Sequence, residues 1–130
     1  MVGDLRGRAH GGSAVVEVAV GADGDGHAQP TYRLDWRLGP LARALALDWA
    51  AEGIRVNAVC PGIVDTPMLD ALIAQTSEPD RTRREFETAQ PLGRLATPAE
   101  CAAAALFLAS PAASFVTGVA LPVDGGFTAQ

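Results

Sequence analysis

The side chains able to do chemistry are few, and their types exclude more than they allow. All ten basic residues among the 130 are arginine, so the chain holds no lysine. That removes Schiff-base chemistry, a P-loop lysine, and a lysine tuning a neighbouring tyrosine. The two histidines, His10 and His27, stand in glycine-rich surroundings with no metal-ligand spacing, so no metal site is expected. Gly7-Arg8-Ala9-His10-Gly11-Gly12 lacks a preceding strand and the glycine spacing of a phosphate cradle. Asp23-Gly24-Asp25-Gly26 has its glycines misplaced for a calcium loop, and no glutamate closes it. Cys60 and Cys101 sit inside apolar stretches and read as small buried hydrophobes in a reducing compartment. A further segment is Pro61-Gly62-Ile63-Val64-Asp65-Thr66. It follows a β-branched run, where open α/β sheets place their ligands. The same residues also read as a strand-ending turn, with Thr66 a helix cap.

Fifteen acidic side chains against ten basic give a net charge of −5, and the arginines spread from Arg6 to Arg94 without forming a patch. Nucleic acid is therefore not an expected partner. The apolar fraction of 48% is ordinary for a globular chain. The longest apolar run, Cys101 to Ala109, falls well short of the about 18 residues that span a bilayer. The N-terminus shows no secretory apolar region, so no membrane contact and a cytoplasmic location are expected.

Residues 1–13 read as mobile and 14–20 as a strand. Residues 21–30 read as loop, and Tyr32, Leu34, Trp36 and Leu38 alternate weakly like a strand. From Leu41 the signals sharpen. Leu41 to Glu52 is a helix with Leu41, Leu45 and Trp49 stacked, closed by Gly53. Ile54 to Cys60 is a strand. Asp65 or Thr66 caps a helix opening at Pro67, and Glu78 to Gln90 is a solvated helix after a turn at Pro79. Thr97-Pro98-Ala99-Glu100 is a capping box. The helix it opens, Pro98 to Ala109, is apolar nearly all round and is expected to bury more than one side. Val119 to Val123 is a last strand, closed by Asp124-Gly125-Gly126. This alternation is that of an α/β protein with a parallel sheet.

Four segments carry a family resemblance: Leu41 to Met68 (LARALALDWAAEGIRVNAVCPGIVDTPM), Pro91 to Glu100 (PLGRLATPAE), Phe107 to Ser110 (FLAS) and Phe115 to Phe127 (FVTGVALPVDGGF). In order and spacing they resemble the C-terminal part of the short-chain dehydrogenase/reductase family. Gly11 to Val16 is similar to that family's strand before its catalytic serine, and the likeness lapses over 17–40. The resemblance implies a Rossmann-like three-layer α/β fold with a parallel sheet, here only its C-terminal portion. Residues 1–40 then form a divergent, partly disordered N-terminal segment, and 41–130 the family-like part. The implied activity is NAD- or NADP-dependent oxidoreduction of an alcohol or carbonyl. The backbone of Ile63 and the hydroxyl of Thr66, on the loop with Pro61 and Gly62, would contact the nicotinamide carboxamide. Met68, Leu69 and Leu72 would line a substrate pocket. Homo-oligomers, or a partner subunit, would pack on the apolar helix faces.

The catalytic pair departs from the family. Counting back from Asn57, the tyrosine falls at Thr31 and its lysine at Asp35. Tyr32 lies one place off, and the residue four beyond it is Trp36. Without a nearby cation Tyr32 stays near the ordinary phenol pKa of about 10 and is the weak remaining catalytic candidate. The sequence thus points to an oxidoreductase by descent that is inactive alone, or to a non-catalytic fragment that packs against a subunit.

Overall fold

The computed structural model describes residues 14–18 and 38–129. Tyr32, the glycine-rich run at 7–12, the loop at 21–30 and the mobile reading of 1–13 lie outside the described residues.

Three parallel strands form one sheet in the order β1 (Ala14–Val18), β2 (Arg55–Pro61), β3 (Ala120–Val123). Val16 stands opposite Asn57, and Val59 opposite Leu121. Helix α1 (Leu38–Trp49) packs on β2 and β3; α2 (Pro67–Ile73) and α3 (Pro79–Ala89) follow β2; α4 (Pro98–Ala109) packs on all three strands. The implied α/β fold with a parallel sheet is what the structure shows.

Strand β2 is the centre, with residues 56–60 buried. Parallel strands covered on both faces read as unbroken apolar runs, and Ile54 to Cys60 nearly does. Val56, Ala58 and Cys60 face α1, packing with Ala42 and Ala46. Between them Arg55 and Asn57 turn to the other face. The Asn57 amide donates to Val116 O (3.0 Å), and its oxygen accepts from Val119 N (3.1 Å). Arg55 donates to Leu108 O (2.7 Å), Ser110 O (3.2 Å) and Val116 O (3.2 Å). It places a cation on carbonyls at the C-terminus of α4, where the helix dipole is negative.

The elements match the sequence reading with four corrections. Helix α1 starts at Leu38, so the alternating pattern is not a strand over 38–40; Pro40 falls in the first turn, where no intrahelical N–H is required. Its buried face centres on Ala42 and Ala46, while Leu41 stays 44% exposed. Small side chains let the helix approach a sheet that is itself lined by alanine and valine. Pro79 is the first residue of α3 rather than a turn before it, and Gln90 leaves that helix and is 1% exposed. The residue before a proline is pushed out of helical geometry, and Gln90 precedes Pro91. Finally, α4 buries one side only among the described residues: Leu108 is buried, but Leu106 is 71% and Phe107 46% exposed.

The Thr97 capping box is present, with Thr97 Oγ1 accepting from Glu100 N (3.3 Å) and Glu100 accepting from Thr97 N (2.8 Å). Arg94 completes it with a two-pronged pair to Glu100 (2.6 and 3.0 Å). Gly53, with φ of 72°, supplies the left-handed residue after α1 and its 3-10 extension at Ala50–Glu52. In β3, Leu121 stands opposite Val59 and bonds toward β2, so the Pro122 nitrogen faces the open edge. A proline there costs no ladder bond and discourages strand addition. Among the described residues no helix is long and apolar enough to cross a membrane.

Two outcomes follow. Arg55→Met should lower unfolding stability by about 2 kcal/mol, the scale of charge-assisted bonds to a helix end, seen as a shifted urea midpoint at constant slope. The Glu100 carboxyl is held down to about 2 by its bonds to Arg94 and Thr97. Its stabilising contribution is complete above the ordinary value of 4.5 and is lost as pH falls through about 2. Wild type and Glu100→Gln should therefore differ in urea midpoint at neutral pH and converge as pH falls through that window; a constant difference would refute the assignment.

Candidate functional site

The site candidate lies at the carboxyl edge of the sheet, where β2 and β3 end side by side. Gly62 N donates to Val123 O (3.0 Å), carrying the ladder one residue past β2. Ile63 then turns inward and is 2% exposed. Its carbonyl accepts two bonds, from Ala96 N (2.9 Å) and from Gln90 Nε2 (3.2 Å). Val64 bridges Ala96 in parallel, and Asp65 N donates to Ala96 O (2.8 Å). Residues 61–66 are thus fixed along both neighbours, β3 and the segment 94–96.

Two hydrogen-bonding groups on this loop keep capacity to spare. The Ile63 amide makes no backbone hydrogen bond among the described residues. The Thr66 hydroxyl accepts from Leu69 N (3.3 Å) as the N-cap of α2, which leaves its own proton to donate. Both readings of Thr66 therefore hold together: it caps the helix and still presents a donor.

The loop tolerates little change. A Cβ at Gly62 would lie 2.5 Å from Gln90 Oε1 and 2.8 Å from Asp124 Cα, so this glycine serves close approach. Pro61 ends the strand beside it, half-buried. Asp124 caps the turn that follows β3, accepting from Gly126 N (3.0 Å), Thr128 N (2.9 Å) and Thr128 Oγ1 (2.7 Å). Burial raises the Asp124 carboxyl, but these bonds outweigh it and hold the group below its ordinary range. A cavity of about 460 Å³ opens alongside, lined by Gln90, Leu92, Arg94, Pro122 and Asp124 among others.

The three residues of the expected substrate pocket differ in burial. Leu69 is buried with Ile63, Ile73 and Leu95 in a small second core, against which Phe86 and Ala89 pack. Met68 is 72% and Leu72 50% exposed, and none of the three lines the 460 Å³ cavity. Across the loop Arg83 of α3 reaches Asp65 (2.9 Å) and Asp70 (2.8 Å), tying the helix pair to the site. Arg83 belongs to the solvated mixed-charge face expected from sequence, yet it joins three segments. The Cys101 thiol is held above its ordinary range by burial and by Glu100, so it is a protonated thiol rather than a nucleophile; Cys60 is buried.

Gln90 is the functional-site residue that pattern reading missed. It followed a polar, arginine-rich helix and was grouped with it; the signal was the proline behind it. Its Nε2 donates to Ile63 O and to Arg94 O (3.0 Å), which fixes the orientation of the amide, since both partners are acceptors only. Its Oε1 is buried with no hydrogen-bond partner among the described residues, a loss of about 1–3 kcal/mol on general grounds.

Comparison with known proteins agrees with this geometry. A family model described as enoyl-(acyl carrier protein) reductase matches residues 11–128. The cis-4-hydroxycyclohexanecarboxylate dehydrogenase of Sinomonas cyclohexanicum is 45% identical over 123 residues, 93% of this chain and 47% of that protein. A short chain dehydrogenase family protein from Francisella tularensis superposes with a TM-score of 0.68 at 40% identity, over 72% of this chain and 41% of that one. An Agrobacterium tumefaciens structure with bound NADP, assigned as a 2-deoxy-d-gluconate 3-dehydrogenase, superposes with a TM-score of 0.63 at 39% identity, over 72% and 36%. The chain spans less than half the length of each of these proteins. On the match across residues 11–128, with the parallel α/β sheet and the loop at its carboxyl edge, the chain belongs to the short-chain dehydrogenase/reductase family of oxidoreductases.

Proposed function

We propose that this chain carries the nicotinamide-side loop of an NAD(P)-dependent oxidoreductase acting on an alcohol or carbonyl, and that residues 41–130 form the C-terminal part of that domain. The observation that carries the reading is the pair of spare donors at the carboxyl edge of β2, the Ile63 amide and the Thr66 hydroxyl. A carboxamide has one acceptor oxygen and one donor nitrogen. The Ile63 N–H suits the oxygen, and Thr66 offers a second polar contact that sets which ring face is presented. Pro61 and Gly62 bring the backbone close enough for this, and Met68, Leu69 and Leu72 stand on the helix that follows. The cofactor, NAD or NADP, supplies hydride transfer when bound. The bound NADP of the Agrobacterium relative supports that class of ligand.

The chain as it stands lacks the cation that the resemblance places after the catalytic tyrosine, because it has no lysine. Tyr32 remains the off-register candidate for the proton donor. The 130 residues are therefore expected to show no NADH- or NADPH-dependent turnover against a panel of ketones and alcohols. Calorimetry should find weak dinucleotide binding, with a Kd in the millimolar range, since the sequence offers no phosphate cradle. Turnover abolished by Tyr32→Phe, or micromolar binding, would overturn this.

A second reading, a subunit-packing fragment without catalysis, has its own observation. From Cys101 to Val123 the chain carries no charged residue. Leu106, Phe107 and Phe115 stand exposed there, Phe115 fully. Apolar surface of that kind marks protein contact. Leu106→Glu should shift the chain toward the monomer on size exclusion while leaving its circular dichroism unchanged; an elution volume identical to wild type would count against packing through α4.

A further inference from the structure

Ile63 is pinned from both sides. Upstream, Gly62 N holds Val123 O, and downstream the Ile63 carbonyl holds two donors. The peptide between them carries the Ile63 N–H. With the peptides on either side anchored, that N–H turns only by a concerted rotation about Gly62 ψ and Ile63 φ, and each anchor lost frees it further.

Two of the anchors are backbone groups, present whatever the side chains are. The third is the Gln90 amide. It reaches Ile63 O across 27 residues of sequence and also holds Arg94 O, so one side chain joins the loop after β2 to the segment that runs beside it. The position is specific: Gln90 is 1% exposed, and its Oε1 lies so near Gly62 that no Cβ fits there. An apolar residue of the same size would fill the space without stranding an oxygen. What it would lack is the pair of donors.

We propose that Gln90 is a positioning residue for the nicotinamide loop. Its amide fixes the Ile63 carbonyl inward and so keeps the Ile63 N–H presented to a carboxamide. This rests on the reading of residues 61–66 as the nicotinamide-side loop, and it adds a residue outside that loop on which the geometry depends. Gln90 itself touches no cofactor; it acts through Ile63.

The test uses the full 130-residue chain, isotope-labelled, with millimolar NADH as the probe and the Ile63 amide resonance as the readout. In wild type that resonance should move on addition of NADH. In Gln90→Met, which keeps length and volume but has no donor, the movement should fall several-fold, and the Ile63 carbonyl carbon should shift in the free protein. Amides of residues 102–108, in the body of α4, should be unaffected. Ile73→Val, which loosens the same small core without touching Gln90, should respond as wild type does. A normal response in Gln90→Met would overturn the role of Gln90 and leave the loop reading standing. No response in wild type would overturn the loop reading, and Gln90 with it. Equal loss in Ile73→Val would reduce Gln90 to general packing. Gln90→Asn, one methylene shorter, is carried in parallel. If neither variant gives a dispersed spectrum, Gln90 is a folding residue and the positioning proposal fails.

Discussion

Strand β2 must bury both of its faces, and the arrangement of the other elements follows from that. One face carries Val56, Ala58 and Cys60 and takes α1 through alanines. The other carries Arg55 and Asn57, polar residues that cannot be covered by apolar packing alone. Each is satisfied by backbone carbonyls or amides of the α4–β3 connection. The polar pair on β2 thereby dictates where α4 ends and where β3 begins. Burial of a central strand and placement of the last helix and strand are one constraint.

That constraint delivers the loop. Because β3 is locked to β2 in register, both strands stop at the same level, and the chain after each must turn within a few ångströms of the other. Gly62 is the point of closest approach, pressed between Gln90 and Asp124. Three segments remote in sequence converge there, held by backbone bonds, by the two amide donors of Gln90 and by the core that Ile63 shares with Leu95. Helices α2 and α3 join the loop through a small core that Ile63 shares with Leu69, Ile73 and Leu95, and Arg83 adds exposed ion pairs to Asp65 and Asp70. Exposed pairs of this kind contribute little each, about 0–1 kcal/mol, so on its helix side the loop is held by burial of Ile63 more than by charge.

Much of this could be read from local patterns. Proline with a capping residue before it marked the starts of α2 and α4, and Gly53 marked the end of the first helical stretch, because those signals act within one turn. Strand β2 announced itself by its β-branched run. What local pattern could not give was which face of α1 is buried. Leucine outweighs alanine in any hydrophobic reading, yet the sheet beneath α1 is lined by small residues and takes Ala42 and Ala46 at its centre, with Leu45 and Trp49 packed at the margin and Leu41 exposed. Nor could it give the role of Gln90, which depends on carbonyls at residues 63 and 94 being brought to one place. The expectation that α4 buries more than one side was a fair inference from composition, and the exposed Leu106 and Phe107 show that the second side has no cover within the described residues.

The absent lysine and the intact loop bear on different parts of one chemistry. A nicotinamide loop needs only backbone direction and one hydroxyl, and both are properties of how β2 ends. Proton transfer at the substrate needs a phenol whose pKa is pulled toward neutrality, and that requires a cation within a few ångströms. Arginine could supply charge, but several of the arginines placed by the structure are engaged elsewhere: Arg55 on α4, Arg81 on Glu78 and Glu85, Arg83 on Asp65 and Asp70, Arg94 on Glu100. Each already holds a structural contact that it would have to give up. Positioning of a cofactor ring and activation of a proton donor are therefore separable in this fold, since one rests on the sheet edge and the other on a single side chain. On the proposed reading of residues 61–66, the first can stand without the second.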